Sequence, residues 1–164
     1  MQIRSVNCKK NQDFILVVTQ SGDTQRVNDY DFGKEYYLPV DVNDTTLGEA
    51  VLGCLAACRW ITYDDDPSFF YPMETIVPRY KQWVADTMAK YGYKTKTKMF
   101  RYMDNCSLDM KDNKITVAPY HHRALEAWSG QDLEGKNNVI IPADSSPAEI
   151  GAALKLAFSR CTSY

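Results

Sequence analysis

Apolar residues along the first part of this 164-residue chain follow the spacing of strands. Residues 14–19 form a continuous β-branched and aromatic run that ends at the turn formers of residues 21–23, which predicts a strand. Residues 24–28 are predicted to return as its hairpin partner. Residues 29–42 are rich in Asp, Tyr, Gly and Pro, which predicts a long irregular connection.

A first helix is predicted from about residue 46 to residue 58. Thr46 and Glu49 have the spacing of a capping box, in which each side chain satisfies a free backbone N–H group. The apolar residues that follow lie on one helical face: Leu47, Val51, Cys54, Leu55 and Cys58.

A second helix is predicted over residues 79–91, with an apolar stripe that begins at Tyr80 and with Gly92 placed to cap its end. Because proline lacks the donor that a helix interior needs, Pro72 and Pro78 confine any helix between them to a short piece.

The last helix has the strongest start signal in the chain. Ser146 is placed as N-cap, Pro147 as the first helical residue and Glu149 as the partner of a capping box. Before it, residues 139–141 are predicted to be a short buried strand. Residues 121–128 are predicted to be a helix of two turns.

A three-stranded meander is predicted between the second helix and the short helix at residue 121. Its turns are placed at residues 104–105 and 112–113. Its strands are predicted at residues 98–103, 106–110 and 114–118. The elements together predict an α/β fold of the α+β type: one domain over residues 1–164, with a mainly antiparallel sheet flanked by about four helices.

The composition is that of an ordinary globular protein, with 45% hydrophobic and 24% charged residues. The net charge of −2 gives little support to a dedicated nucleic-acid binder, which needs a basic face. Residues 1–10 contain no apolar core for a secretory signal, and residues 47–58 are too short to span a bilayer. We therefore expect a cytoplasmic protein that does not enter the membrane. The five cysteines indicate reduced thiols.

The chain contains no familiar catalytic or phosphate-binding motif. Cys54 and Cys58 could share a metal with His121 and His122, but both cysteines fall on the apolar stripe of a predicted helix. The two histidines could also act in acid–base chemistry or contact an anion, although a solvated helix start explains them better. We expect no catalysis, no metal and no cofactor.

Residues 90–98 alternate lysine with tyrosine and threonine, a pattern with two interpretations. Lysines beside tyrosines can bind nucleic acid. Lys94, Lys96 and Lys98 also share one face of an extended chain, which is typical of an edge strand protected against aggregation. The edge strand is the preferred interpretation, and nucleic-acid binding is the alternative.

Acidic and aromatic side chains cluster in two loops. Asp64, Asp65 and Asp66 are flanked by aromatic residues, and more acids and aromatics occur between residues 29 and 37. Such a run is most simply a solvated loop, since it lacks the spacing of a calcium-binding loop. The functional interpretation is a protein-binding surface, in which carboxylates attract a basic partner and aromatic side chains anchor it.

Four stretches resemble a known bacterial family: residues 47–56, 83–102, 125–128 and 139–154. The family is that of the immunity proteins of contact-dependent growth inhibition systems, and the resemblance covers about residues 38–161. It implies a protein that binds and neutralises the C-terminal toxin domain of a cognate effector. Many such toxins are nucleases, often acting on tRNA, so an acidic inhibitor suits a basic active site.

The resemblance transfers no catalytic motif, and it leaves the contact residues to be inferred from the acidic and aromatic loops. The expected toxin-binding residues are Asp31, Glu35, Tyr63, Asp64, Asp65, Asp66, Phe69 and Tyr71.

Overall fold

The computed structural model describes residues 2–70 and 73–164. Its strands are β1 (Arg4–Lys10), β2 (Phe14–Gly22), β3 (Arg26–Asn28), β4 (Glu35–Pro39), β5 (Asp104–Lys111), β6 (Lys114–Ala124), β7 (Ala127–Gly130), β8 (Val139–Pro142) and β9 (Thr162–Ser163). Its helices are α1 (Asp44–Ala56), α2 (Pro67–Phe70), α3 (Met73–Tyr91), α4 (Lys96–Phe100) and α5 (Pro147–Ser159). The predicted α+β fold with a mainly antiparallel sheet is confirmed.

The described strands form one sheet in the order β3-β2-β1-β5-β6-β7. Strand β4 also pairs with β2, and β8 and β9 pair with β6. All of these pairs are antiparallel except β6 with β9. Among the described residues, no helix combines the length and the apolar content that crossing a membrane requires.

Helices α1 and α5 cover one face of the sheet. Alternate residues of the strands, such as Val6, Val17 and Leu108, point to these helices and are fully buried. The helices approach each other so closely that a Cβ atom on Gly48 would lie 1.7 Å from the Pro147 carbonyl oxygen. Glycine is therefore required at this crossing, because any larger residue would push the helices apart.

Helices α3 and α4 cover part of the opposite face. Phe14, Leu16 and Val18 alternate with the residues that face α1 and α5, and they pack against Val84 and Phe100. Strand β2 is apolar at successive positions because both of its faces are covered. This explains why residues 14–19 gave a clear strand prediction.

Two of the predicted helix ends are confirmed. Ser146, Pro147 and Glu149 form the expected capping box of α5. Gly92 adopts a positive φ of 73°, and the Tyr93 N–H donates to the Met88 carbonyl, so the predicted cap of α3 is confirmed.

The predicted capping box at Thr46 is wrong. Helix α1 begins at Asp44, and Asn43 is its N-cap because the Asn43 side chain accepts a hydrogen bond from the Thr46 N–H. Asparagine and threonine are both good N-caps, so the sequence alone favoured neither start.

The limit placed on helix α3 by Pro78 is also wrong. The helix begins at Met73 and runs through Pro78 without a break. Proline leaves the carbonyl of Glu74 without its usual donor, but both residues are exposed. Water can satisfy that carbonyl, which makes the proline tolerable.

The predicted strand over residues 98–103 is wrong: residues 98–100 belong to helix α4, which Thr95 caps, and a turn follows it. The turn predicted at residues 104–105 is wrong too, because β5 begins at Asp104. Met99, Phe100 and Met103 are fully buried, at a spacing that suits a helix. The edge-strand interpretation of Lys94, Lys96 and Lys98 is therefore wrong as well.

The predicted meander exists, but it lies one strand further along the chain. Strands β5, β6 and β7 pair in succession, and Asp112 and Asn113 form the predicted turn with φ of 52° and 62°. The predicted helix at residues 121–128 is wrong, because β6 extends to Ala124 and β7 begins at Ala127.

Four strands have no counterpart in the prediction: β1, β4, β7 and the two-residue β9. Strand β1 lies between β2 and β5 within the sheet, although only Val6 and Cys8 mark its buried face. Strand β4 lies inside the predicted connection of residues 29–42. The predicted strand at residues 139–141 is confirmed as β8, with Ile140 exposed rather than buried.

Candidate functional site

A surface cleft of about 500 Å³ lies between two loops and the first half of α3. The first loop, with the end of β3, spans residues 27–32, and the second, with the start of α2, spans residues 59–69. Charged and aromatic side chains contribute much of the lining, notably Asp31, Phe32, Arg59, Asp66, Phe69 and Arg79. We call this feature the loop cleft.

A buried ion pair holds the two loops together. Arg59 donates to Asp29 from Nε over 2.8 Å and from Nη2 over 3.0 Å, and the Asp29 side chain is 0% exposed. The Ser21 hydroxyl and the Phe32 N–H also donate to Asp29. Burial raises the pKa of Asp29, but these hydrogen bonds outweigh burial and hold the pKa below its usual value.

Arg59 also contacts two aromatic rings, one from each loop. Its guanidinium carbon lies 4.3 Å from the ring centre of Phe32 and 5.5 Å from that of Phe69. Such contacts stabilise both the cation and the position of the rings. Phe32 remains 69% exposed even so, and it therefore offers most of its surface to a partner.

A second ion pair joins the first loop to α3. Arg79 donates from Nη2 to the two carboxylate oxygens of Asp31 over 3.2 Å and 3.4 Å. Its guanidinium carbon lies 5.8 Å from the ring centre of Tyr30. Both charged side chains are largely exposed, so this pair positions the loop but adds little stability.

Large apolar side chains are exposed in the three segments that border the loop cleft. They are Tyr30, Phe32, Trp60, Tyr63, Met73 and Val77. Folded monomers seldom expose such a concentration of apolar groups without a binding partner. The mixture of aromatic rings with both signs of charge is typical of a protein-binding surface.

The structure brings together three of the expected toxin-binding residues. Asp31, Asp66 and Phe69 line the loop cleft. Tyr63, Asp64 and Asp65 are exposed on the second loop, beside the cleft lining. Glu35 is exposed at the start of β4 and lines two neighbouring cavities instead. Tyr71 lies outside the described residues.

The acids and aromatics of residues 29–37 do not form one exposed surface, as the sequence suggested. Asp29 is buried in its ion pair, and the Tyr37 hydroxyl is bound by Trp83 and Thr87 inside the fold. The loop cleft also carries two arginines beside its acids. Sequence reasoning missed Phe32 and Arg59; only the apolar ring of Phe32 within a polar loop was a visible signal.

The tyrosines of the lysine-rich region, residues 90–98, contact other parts of the fold. Tyr91 stacks on Phe14 at 4.7 Å, and the Tyr93 hydroxyl accepts a hydrogen bond from Asn11. Lys90 lies 4.0 Å from the ring centre of Tyr37, and Lys96 pairs with Glu126. Single-stranded nucleic acid needs open aromatic faces for stacking, so this arrangement gives the alternative function no specific support.

The histidines occupy a strand, with their side chains on opposite faces. His121 Nδ1 contacts the Thr162 hydroxyl over 2.8 Å. His122 is buried and stacks on Trp128 at 4.8 Å. Within the described residues, no three histidine, cysteine or acidic side chains come together as a metal site.

Comparison with known proteins gives agreeing matches over nearly the whole chain. The family model described as "CdiI: CDI immunity protein" matches residues 4–161. The immunity protein CdiI-YPIII of Yersinia pseudotuberculosis serotype O:3 (strain YPIII) is 42% identical over 168 positions, which cover 93% of this chain and 92% of the relative.

Two solved structures share the fold at a TM-score of 0.90 each. One is a chain of the CdiA-CT/CdiI toxin and immunity complex from Yersinia pseudotuberculosis, with 39% identity and 99% of both chains covered. The other is the protein of unknown function NMB0488 from Neisseria meningitidis, with 35% identity and coverage of 98% of this chain and 96% of that one.

Proposed function

The chain belongs to the CDI immunity protein family, and we propose from this premise that it binds and neutralises the C-terminal toxin domain of a cognate CdiA effector. The resemblance inferred for residues 38–161 is confirmed, and the family model extends it to residue 4. The related Yersinia pseudotuberculosis structure is itself a toxin and immunity complex, which supports the same partner for this chain.

The loop cleft is the proposed contact surface. The observation that carries this assignment is the exposure of Phe32, which Arg59 holds in place at the mouth of the cleft. An aromatic ring that is already ordered loses little conformational freedom on binding, so it makes an efficient anchor. Affinity in a protein interface usually rests on a few such anchors.

The acidic loop gives the proposal its second element. Asp64, Asp65 and Asp66 are exposed beside the loop cleft, where they would attract a basic partner. A nuclease has a basic active site because it must bind phosphates. We therefore extend the proposal to a nuclease toxin, with a tRNA-cleaving enzyme as one form.

The protein acts by occupying the toxin, with no catalysis of its own. His121 contacts the Thr162 hydroxyl and His122 stacks on Trp128, so neither histidine needs a catalytic role to explain its position. The proposal includes the cytoplasm as the site of action, since the five cysteines are free thiols and would remain reduced there.

The first test compares two aromatic residues of equal exposure. Phe32 and Tyr102 are both 69% exposed, but only Phe32 lines the loop cleft. The substitution Phe32→Ala should weaken binding to the toxin domain at least tenfold, the effect of removing an anchor worth about 1.4 kcal/mol or more. Calorimetric titration of each variant with the purified toxin domain measures this difference.

Tyr102→Ala is the matched control and should bind within about twofold of the unchanged protein. Both variants should unfold within a few degrees of the unchanged chain, because each loses an exposed ring that contacts one arginine. Equal binding by all three proteins would remove the loop cleft from the interface. Failure of the unchanged chain to bind the toxin or to rescue growth on co-expression would reject the proposed function itself.

A further inference from the structure

A second cavity, of about 230 Å³, lies over the face of the sheet that α3 and α4 only partly cover. Polar side chains of β1 and β2 contribute Asn7, Lys9 and Gln20 to its floor. Tyr80 and Trp83 of α3 form one wall, and Trp128 of β7 forms another. We call it the lysine cavity.

Lys9 has only neutral partners in this cavity. Its Nζ donates to Asn7 Oδ1 over 2.8 Å and to Asn105 Oδ1 over 3.2 Å, and it lies 5.1 Å from the ring centre of Trp128. An ammonium group has three donors, so one remains without an acceptor. In the described ranges 2–70 and 73–164, no carboxylate lies within ion-pair distance of Lys9.

This arrangement is unfavourable to the isolated chain. Burial lowers the pKa of Lys9 to about 8, because an ammonium ion loses hydration when it is taken from water. A nearby carboxylate would offset that loss. Glu126 also lines the cavity, but it accepts a hydrogen bond from the Tyr80 hydroxyl and pairs with Lys96. Lys9 is thus a half-buried cation without a carboxylate partner.

The lysine cavity adjoins the loop cleft. Asn28, Tyr30 and Tyr80 line both. A partner seated in the loop cleft could therefore extend a side chain past Tyr30 towards Lys9. The volume is far above the roughly 30 Å³ that one water occupies, so a side chain has room to enter.

We propose that the lysine cavity receives an acidic side chain of the bound toxin domain, whose carboxylate pairs with Lys9. This inference rests on the proposed function, since it assigns one contact within the same complex. Glu35 and Glu126 also line the cavity, and they would repel a doubly charged phosphate more strongly than a singly charged carboxylate that pairs with Lys9. A charged pair formed in this shielded site adds specificity as well as affinity.

The test removes, in separate variants, the lysine charge on each face of β1. Lys9→Met removes the ammonium group, and Lys9→Gln keeps a polar end for the two asparagines without the charge. Lys10→Met is the matched control, since Lys10 is adjacent but contacts Phe158 on the opposite face. Calorimetric titration with the purified toxin domain should show at least a thirtyfold loss of affinity for both Lys9 variants and less than a threefold loss for Lys10→Met.

Thermal unfolding separates binding from folding. Lys9→Met should unfold at a temperature close to that of the unchanged chain, because Lys9 is only half-buried and its two hydrogen bonds go to neutral amides. Affinities of both Lys9 variants within threefold of the unchanged chain would overturn the inference. Failure of the unchanged chain to bind the toxin would instead reject the proposed function, so the two failures are distinguishable.

A double-mutant cycle identifies the carboxylate. Each Asp and Glu of the toxin domain is changed to Asn or Gln and titrated against the unchanged chain and Lys9→Met. One toxin residue should lose its effect when Lys9 is already absent, and no coupling at any acidic residue would contradict the inference. Release of the toxin by inorganic phosphate at constant ionic strength would assign the cavity to phosphate and overturn the carboxylate.

Discussion

The two faces of the sheet differ in what they leave open. Helices α1 and α5 close one face with interlocking apolar side chains and a crossing that admits only glycine at Gly48. Helices α3 and α4 cover the other face in part, and the polar floor of the lysine cavity remains beyond their edge. The closed face holds the fold together, whereas the open face and its bordering loops hold the groups that a partner can use.

Different interactions hold the two regions in place. The closed face relies on close packing, which is sensitive to volume. In the loops that border the open face, an ion pair between Asp29 and Arg59 joins two segments that are distant in sequence. Substitutions in the closed face should therefore act through side-chain volume, whereas substitutions in the loops should act through charge and hydrogen bonding.

The largest expected loss of stability comes from breaking the ion pair between Asp29 and Arg59. Asp29→Ala leaves Arg59, Ser21 and the Phe32 N–H without their acceptor. Removing one partner of a fully buried pair costs about 3–5 kcal/mol, and the 37% exposure of Arg59 reduces this to about 2–3 kcal/mol. Urea unfolding measures the loss. The control Asp31→Ala removes an exposed pair and should cost less than about 1 kcal/mol.

The same ion pair predicts how stability depends on pH. The pKa of Asp29 is lower in the folded protein than in the unfolded chain, so its contribution is fully present above about pH 4. The contribution should disappear as the pH falls through the lowered pKa. Acid titration of the unfolding free energy should show this loss in the unchanged protein and not in Asp29→Ala. Parallel acid profiles would contradict the assignment.

A smaller loss of stability is expected from a substitution in the closed face. Gly48→Ala places a Cβ atom against the Pro147 backbone, which should outweigh the gain of about 1 kcal/mol that alanine brings to a helix. We expect a net loss of about 1–2 kcal/mol in urea unfolding, with toxin affinity unchanged for the folded protein. Gly130→Ala is the control, because nothing lies within 4 Å of its added Cβ atom. Equal stability of both variants would show that the helix crossing can open without penalty.

The smallest expected effect is on the rate of association with the toxin, and it comes from the acidic residues 64–66. Reversal of Asp64, Asp65 and Asp66 to lysine should slow association with a basic toxin roughly tenfold at low salt, with a smaller change at high salt. Stopped-flow mixing over a range of salt concentrations measures it. The matched control reverses Asp41, Glu49 and Asp144, which are exposed and do not line the loop cleft. Equal slowing in both proteins would indicate a general effect of net charge.

Sequence reasoning succeeded where local signals and packing agreed. The start of α5, the cap of α3 at Gly92 and the turn at Asp112 and Asn113 each depend on residues close in sequence. It failed where packing decided the outcome. Helix α4 was mistaken for a strand because its lysines alternate, whereas its buried side chains have helical spacing.

The candidate site was predicted in part for the same reason. The exposed acids of residues 64–66 were visible as a cluster, and Asp66 does line the loop cleft. The contact between Phe32 and Arg59 joins residues far apart in sequence, so no local pattern could indicate it. Lys9 was not singled out either, because its strand shows too few apolar residues to be recognised.

The sequence by itself determined the start of α5, the end of α3 at Gly92, the buried strand β2, the α+β class and the family, because each rests on local chemistry or on a direct resemblance. Only the tertiary structure decided which charges are buried. Asp29 lies two residues before Asp31, and Lys9 lies next to Lys10, so the sequence does not show which member of either pair the fold encloses. Folding gives Asp29 a cation and Lys9 only amides. Burial and pairing depend on distant strands, so they emerge only when the chain is folded.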